Sequence, residues 1–120
     1  MRSFIITLIL LALVCTAIVL NNMYIKHSAE YIVECVSDNS FVSAPEEAIG
    51  KLELFWEKNH PIIGLSVGFK ELDRMSDLIL DLKIYYKLGS LPEVTRTRDM
   101  IREAADEISR LERFGIENLL

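Results

Sequence analysis

Apolar and polar residues are distributed in two regimes along this chain. Sixteen of the first twenty residues are apolar and no charge interrupts Phe4 to Leu20, whereas beyond Asn22 apolar residues recur every three or four positions among charged ones. As a helix the uncharged run rises about 25 Å, slightly short of a hydrocarbon core of about 30 Å, so Asn21, Asn22, Met23 and Tyr24 are expected at its interface. Residues 1–22 therefore read as a transmembrane anchor that contacts the lipid bilayer through residues 4–20, and residues 23–120 as the domain it carries. The competing reading is a cleaved signal peptide, because Arg2 supplies a charged start and Cys15-Thr16-Ala17 offers small residues for a peptidase. Against cleavage, Ile18, Val19 and Leu20 prolong the apolar run past that site. Lipoprotein processing at Cys15 is disfavoured by the branched Val14 before it.

Four helical stretches follow. Ile25, Ala29, Ile32 and Val36 form one stripe, which predicts that the anchor continues as a helix over 23–37 before the turn formers Ser37 to Ser40 break it. Ser43-Ala44-Pro45-Glu46 resembles a capping arrangement and opens a predicted helix over 45–59, with Ala48, Ile49, Leu52, Phe55 and Trp56 inward and Pro61 as its stop. A third helix over 65–88 is predicted from Leu65, Phe69, Leu72, Met75, Ile79, Leu82 and Tyr86, with Gly89 as its cap. Ser90-Leu91-Pro92-Glu93 repeats the capping chemistry and opens a helix over 92–114 with the seam Val94, Thr97, Ile101, Ala104, Ile108 and Leu111. No strand-like alternation, glycine-rich loop or repeat is present. The fold class expected is all-α, an N-terminal transmembrane helix continuing into an antiparallel up-down bundle of about four helices.

Charge narrows the choice of partners. Residues 21–120 hold 12 Lys or Arg against 18 Asp or Glu, a net charge of −6, which argues against a general nucleic-acid or anionic-lipid binder. The α-amine and Arg2 on one side of the run against Lys26 on the other favour an N-terminus in the cytoplasm and an extracytoplasmic domain at the cell membrane. Cys15 and Cys35 lie about 30 Å apart on a continuous helix, too far for an intrachain disulfide, and Cys35 reads as a small buried apolar residue.

The immediate N-terminal span, Phe55-Trp56-Glu57-Lys58, Phe69-Lys70-Glu71-Leu72-Asp73 and the ending Ile116-Glu117-Asn118-Leu119-Leu120 together resemble the domain-of-unknown-function family 4363 over essentially the whole chain. These are short proteins of Gram-positive, often spore-forming bacteria. The resemblance implies a membrane-associated helical protein without an assigned activity and transfers no catalytic residue.

Three constellations bear on chemistry. Glu57-Lys58-Asn59-His60 has the Glu-x-x-His spacing of di-metal carboxylate bundles, but His27 and Glu30 occur in the reverse order and His60 adjoins Pro61, so no metal or other cofactor is expected. Asp73, Asp77 and Asp81 line up at four-residue spacing, each pair costing about 0.2–0.5 kcal/mol if nothing answers it. Antiparallel pairing of the last two helices would set Asp81 near Arg98, Asp77 near Arg102, and Lys70 and Arg74 near Glu103, Asp106 and Glu107. The functional reading of the same aspartates is a partner-binding face, with Leu119 and Leu120 as further docking residues. No nucleophile motif is present and no enzyme is expected. The function expected is a partner-binding or assembly module that engages a protein partner or another copy of itself. The alternative is a sensor that admits a small molecule near Gly64 and Gly68.

Overall fold

Helix α1 (Arg2–Cys35) runs unbroken for 34 residues, and its two halves have different surroundings. Every residue from Met1 to Ala17 is exposed, Ile18 is the first to be half-buried, and Ile25, Ala29, Ile32 and Cys35 are buried against the rest of the chain. The most apolar stretch, of mean hydropathy 2.9, has none of its residues buried inside the protein; α1 is long and apolar enough to cross a membrane. The structure is a computed structural model that describes residues 1–119, with side chains described as far as Arg110.

Four further helices follow: α2 (Asp38–Ser43), α3 (Pro45–Ile63), α4 (Phe69–Leu88) and α5 (Leu91–Leu119). Helices α1, α3, α4 and α5 pack as an antiparallel bundle, and α2 is a short cap laid over α1 and α3. Cross-links along the bundle show the alternating direction. Between α1 and α3, Tyr24 donates to Asn59 (2.5 Å) and the Tyr31 ring lies 4.4 Å from that of Phe55; Trp56 Nε1 donates to Ser76 (2.7 Å) between α3 and α4, and Arg74 meets Glu107 (2.9 Å) between α4 and α5. Among the described residues there is no strand. The molecule measures 68 × 22 × 20 Å, a rod in which the exposed half of α1 extends beyond the bundle.

The predicted stripes form the core. Ile25, Ile32, Leu52, Met75, Leu82 and Ile101 are fully buried, and Ile49, Trp56, Leu72, Ile79, Val94, Thr97, Ala104 and Ile108 pack around them. Burying such side chains at about 1.5–3 kcal/mol each supplies the main driving force.

Several boundaries differ from the sequence expectation, each for a local reason. The turn formers after Val36 do break α1, but Ser37 then caps α2 by accepting from the Ser40 amide. The Ser43 hydroxyl donates instead to the Asn39 carbonyl within α2 (2.6 Å), so Ala44 is the N-cap of α3 and no side chain caps it. Pro61 does not stop α3, which continues to Ile63. Proline removes the amide that would bond the carbonyl of Glu57. His60 Nδ1 stands 3.2 Å from that carbonyl and 3.0 Å from the carbonyl of Trp56. With two acceptors facing it, Nδ1 is assigned the hydrogen, and the imidazole substitutes for the missing backbone donor.

Helix α4 starts at Phe69 rather than at 65, because residues 64–68 form a turn closed by Leu65, Ser66 and Val67 amides donating to Ile62 and Ile63 carbonyls. Leu65 and Phe69 therefore fall outside the core. At the other end Gly89 takes φ 73°, the left-handed conformation that lets its amide close on Tyr86 and reverses the chain into α5. Helix α5 extends past 114, through Gly115, to Leu119.

Candidate functional site

The outward back of α4 carries the three aspartates. The flank of α4 toward α5 is occupied by Arg74 and buried Leu78, and the flank toward α3 by Ser76 and Lys83. A helix turning 100° per residue then leaves Asp73, Asp77 and Asp81 on the remaining face, all exposed. Leu80, Ile84 and Leu88 share that face and are exposed by 55, 45 and 72%. The back of α4 is thus a line of aspartates interleaved with large apolar side chains, with the exposed Lys70 and Lys87 at its two ends.

The cations expected to answer the aspartates are engaged elsewhere. Arg98 bonds the Val36 carbonyl and Asp38, and Arg102 pairs with Asp99. The expected pairs of Asp81 with Arg98 and Asp77 with Arg102 do not form, and of the interhelical set only Arg74 to Glu107 does. Among the described residues, no lysine or arginine lies within ion-pair distance of Asp73, Asp77 or Asp81. The α4–α5 register is close to that anticipated, but the aspartates stand behind the helix rather than along the seam. The side chains of Leu119 and Leu120, the other docking residues read from sequence, lie outside the described residues.

Arg98 was legible only as a surface cation, yet it is buried. Its Nε and Nη2 donate to the Val36 carbonyl at 3.0 and 2.9 Å, Nη2 also reaches Asp38 at 2.8 Å, and the guanidinium lies 4.4 Å from the centre of the Phe41 ring. Three groups thus hold the junction of α1 and α2 against α5. Its role is structural: the site is closed, and a ligand would have to displace Phe41 or Asp38 to reach it.

A cleft of about 370 Å³ opens between the end of α1, α2 and the start of α3, lined by Tyr31, Glu34, Cys35, Ser40, Glu47 and Lys51 among others. Lys51 is paired with Glu47 at 3.2 Å, and that hydrogen bond holds its ammonium above its ordinary value. Burial pushes the Cys35 thiol upward, the hydrogen bond with Tyr31 acting in the opposite sense, so at neutral pH it stays protonated and a poor nucleophile. The residues that close this cleft satisfy one another.

In the Gly64 and Gly68 region, expected to admit a ligand in the sensor reading, Gly64 is closely packed against α4, whereas Gly68 is exposed and faces only the Glu71 carboxylate. A Cβ on Gly64 would lie 3.0 Å from Leu72 Cδ2 and 3.2 Å from the His60 carbonyl, so the glycine serves close approach of the turn to α4. His60, the imidazole of the Glu-x-x-His spacing, has its Nδ1 committed to backbone carbonyls. Among the described residues no three His, Cys, Asp or Glu side chains converge as metal ligands. Comparison with known protein families, with curated proteins and with solved structures finds no match to this chain.

Proposed function

We propose that the chain is a non-catalytic, single-pass membrane protein whose bundle docks a protein partner or a second copy of itself at the cell envelope. The observation that carries this reading is the division of α1. One continuous helix is apolar over residues 4–20, uncovered there except at the half-buried Ile18, and then contributes Ile25, Ala29, Ile32 and Cys35 to the bundle core. An uncovered apolar helix of that length is stable in lipid and costly in water, and nothing flexible separates it from the bundle. The N-terminus is assigned to the cytoplasm from Arg2 and the bundle to the outer side, and membership of the domain-of-unknown-function family 4363 belongs to the same proposal. The docking surface is the back of α4, where Asp73, Asp77 and Asp81 set charge complementarity and Leu80, Ile84 and Leu88 supply area that gains by being covered. Anchoring concentrates such a surface on the membrane, so that weak contacts become effective.

Two measurements on the full chain test this. After an alkaline carbonate wash of membranes, the polypeptide should stay in the pellet at its intact mass; its release as an intact chain would overturn the anchor. Crosslinking in those membranes should yield one dominant adduct that is lost in the Asp73→Asn, Asp77→Asn, Asp81→Asn triple variant and in Ile84→Glu, with helicity unchanged. An adduct that survives both variants would remove α4 as the surface. A bundle stabilised by a small molecule, with no adduct, would favour the sensor instead.

A further inference from the structure

Leu65 and Phe69 are the most exposed large apolar side chains of the bundle among the described residues, at 87 and 80%. They belong to a segment, Pro61 to Phe69, that contains no charged residue although the chain as a whole is 26% charged. Within it the residues divide cleanly. Ile63 and Val67 turn inward and are buried, clamping the turn to the core, whereas Ile62, Leu65 and Phe69 project outward.

The position of this turn is set by α1. Asn21 Nδ2 donates to Ser66 Oγ at 2.6 Å, and Tyr24 donates to Asn59 one turn further along. Ser66 is therefore level with the residue that directly follows the apolar run, and Ile18, one turn back inside the run, is the first residue of α1 to be half-buried. An interfacial layer occupies roughly 5–7 Å on each side of the hydrocarbon, and Asn21, whose side chain holds the turn, stands one residue rise, about 1.5 Å, past the end of the run. Because α1 is unbroken, the bundle cannot move away from that plane. The run is also about 5 Å shorter than an average hydrocarbon core, a mismatch that draws its flanks inward.

We propose that the α3–α4 turn is a second membrane contact, in which Ile62, Leu65 and Phe69 enter the boundary between acyl chains and headgroups of the leaflet from which α1 emerges. The inference rests on the reading of residues 4–20 as a membrane span. Lys58 and Lys70, both exposed, flank the segment and can extend their ammonium groups to the phosphates while their stems lie along the apolar surface. The contact is otherwise apolar, since Glu57 and Glu71 adjoin the two lysines and a domain of net charge −6 has no general attraction to anionic lipid, and its dependence on salt is weak. Two points of attachment, the span and the turn, fix the rotation of the bundle about its axis and hence the direction in which the back of α4 faces.

The test uses the full chain reconstituted in phosphatidylcholine vesicles with and without brominated acyl chains. Single variants Leu65→Trp, Phe69→Trp, Leu11→Trp and Leu88→Trp are compared with the parent, whose buried Trp56 supplies a constant background. Leu65→Trp and Phe69→Trp should add a blue-shifted emission that loses most of its intensity to bromine, as Leu11→Trp does within the run. Leu88→Trp, at the opposite end of the bundle, should be unaffected. If Leu65→Trp and Phe69→Trp behave like Leu88→Trp while Leu11→Trp is quenched, the span stands and the turn contact is overturned. Protection of Leu65→Trp from aqueous acrylamide without bromine quenching would assign the turn to a second protein copy and also overturn it. A Leu11→Trp that bromine does not reach removes the span, and the turn contact with it.

Discussion

Arg98 on α5 donates two hydrogen bonds to the main-chain carbonyl of Val36, 62 residues earlier, at 3.0 and 2.9 Å. That carbonyl sits at the C-terminal end of α1, where helical carbonyls lose their amide partners and the macrodipole is negative. A planar, always-charged fork fits this end better than any other side chain.

The clamp predicts an ordering of variants. Arg98→Ala should cost about 2–4 kcal/mol, from an orphaned buried carbonyl and the lost cation-aromatic contact with Phe41. Asp38→Asn should cost less than about 1 kcal/mol, because that carboxylate is 85% exposed. Thermal melts in detergent micelles followed by circular dichroism give the order; equal losses for the two would mean that Arg98 acts through its ion pair.

Two glycines should respond oppositely to alanine. Gly50 lies inside α3 with open space where a Cβ would go, so Gly50→Ala should stabilise by about 0.5–1 kcal/mol. Gly89 holds φ 73°, so Gly89→Ala should destabilise by about 1–2 kcal/mol despite equally open surroundings. Denaturant midpoints read both signs, and a stabilising Gly89→Ala would contradict the left-handed turn.

His60 and Pro61 should be energetically coupled. His60→Ala is expected to cost about 1 kcal/mol in the parent, where its ring serves the Glu57 carbonyl. In a Pro61→Ala background the restored amide takes over, and the same substitution should cost little. A double-mutant cycle that returns identical costs in both backgrounds would show the imidazole to be incidental.

The buried thiol makes stability fall in alkali. Cys35 has its pKa raised above the ordinary 9.0 by burial, so the folded state holds that proton more tightly than the unfolded chain does. The contribution is complete below 9.0 and is lost as pH rises through the folded value. Unfolding midpoints measured from neutral pH upward should decline, and the decline should be shallower in Cys35→Ala. Parallel slopes in the two proteins would assign the alkaline loss to other groups.

Much of the bundle was legible in the residue pattern. The stripes Ile25-Ala29-Ile32 and Leu72-Met75-Ile79-Leu82 became core because periodicity reports which face of a helix is apolar. The same periodicity misled at Leu65 and Phe69, whose four-residue spacing continues the stripe through a segment that is a turn rather than a helix. Pro61 was misleading because its steric and hydrogen-bonding defect is compensated by a neighbouring ring, which a rule about proline alone does not contain. The candidate docking face followed a different route. The spacing of Asp73, Asp77 and Asp81 revealed a line of charge, but only the packed structure showed that the line lies on the back of α4 beside Leu80, Ile84 and Leu88.

By itself the sequence determined the helical class, the uncharged run from Phe4 to Leu20 and most of the inward-facing residues, because these follow from local composition and the 3.6-residue turn. Tertiary structure alone decided that Arg98 turns inward to Val36 rather than toward Asp81, and that Ser66 rests against Asn21, which ties the α3–α4 turn to the residue after the apolar run. Such pairings depend on how far each helix is rotated about its axis. That rotation is fixed only when all four apolar stripes are buried together, and no single segment carries it.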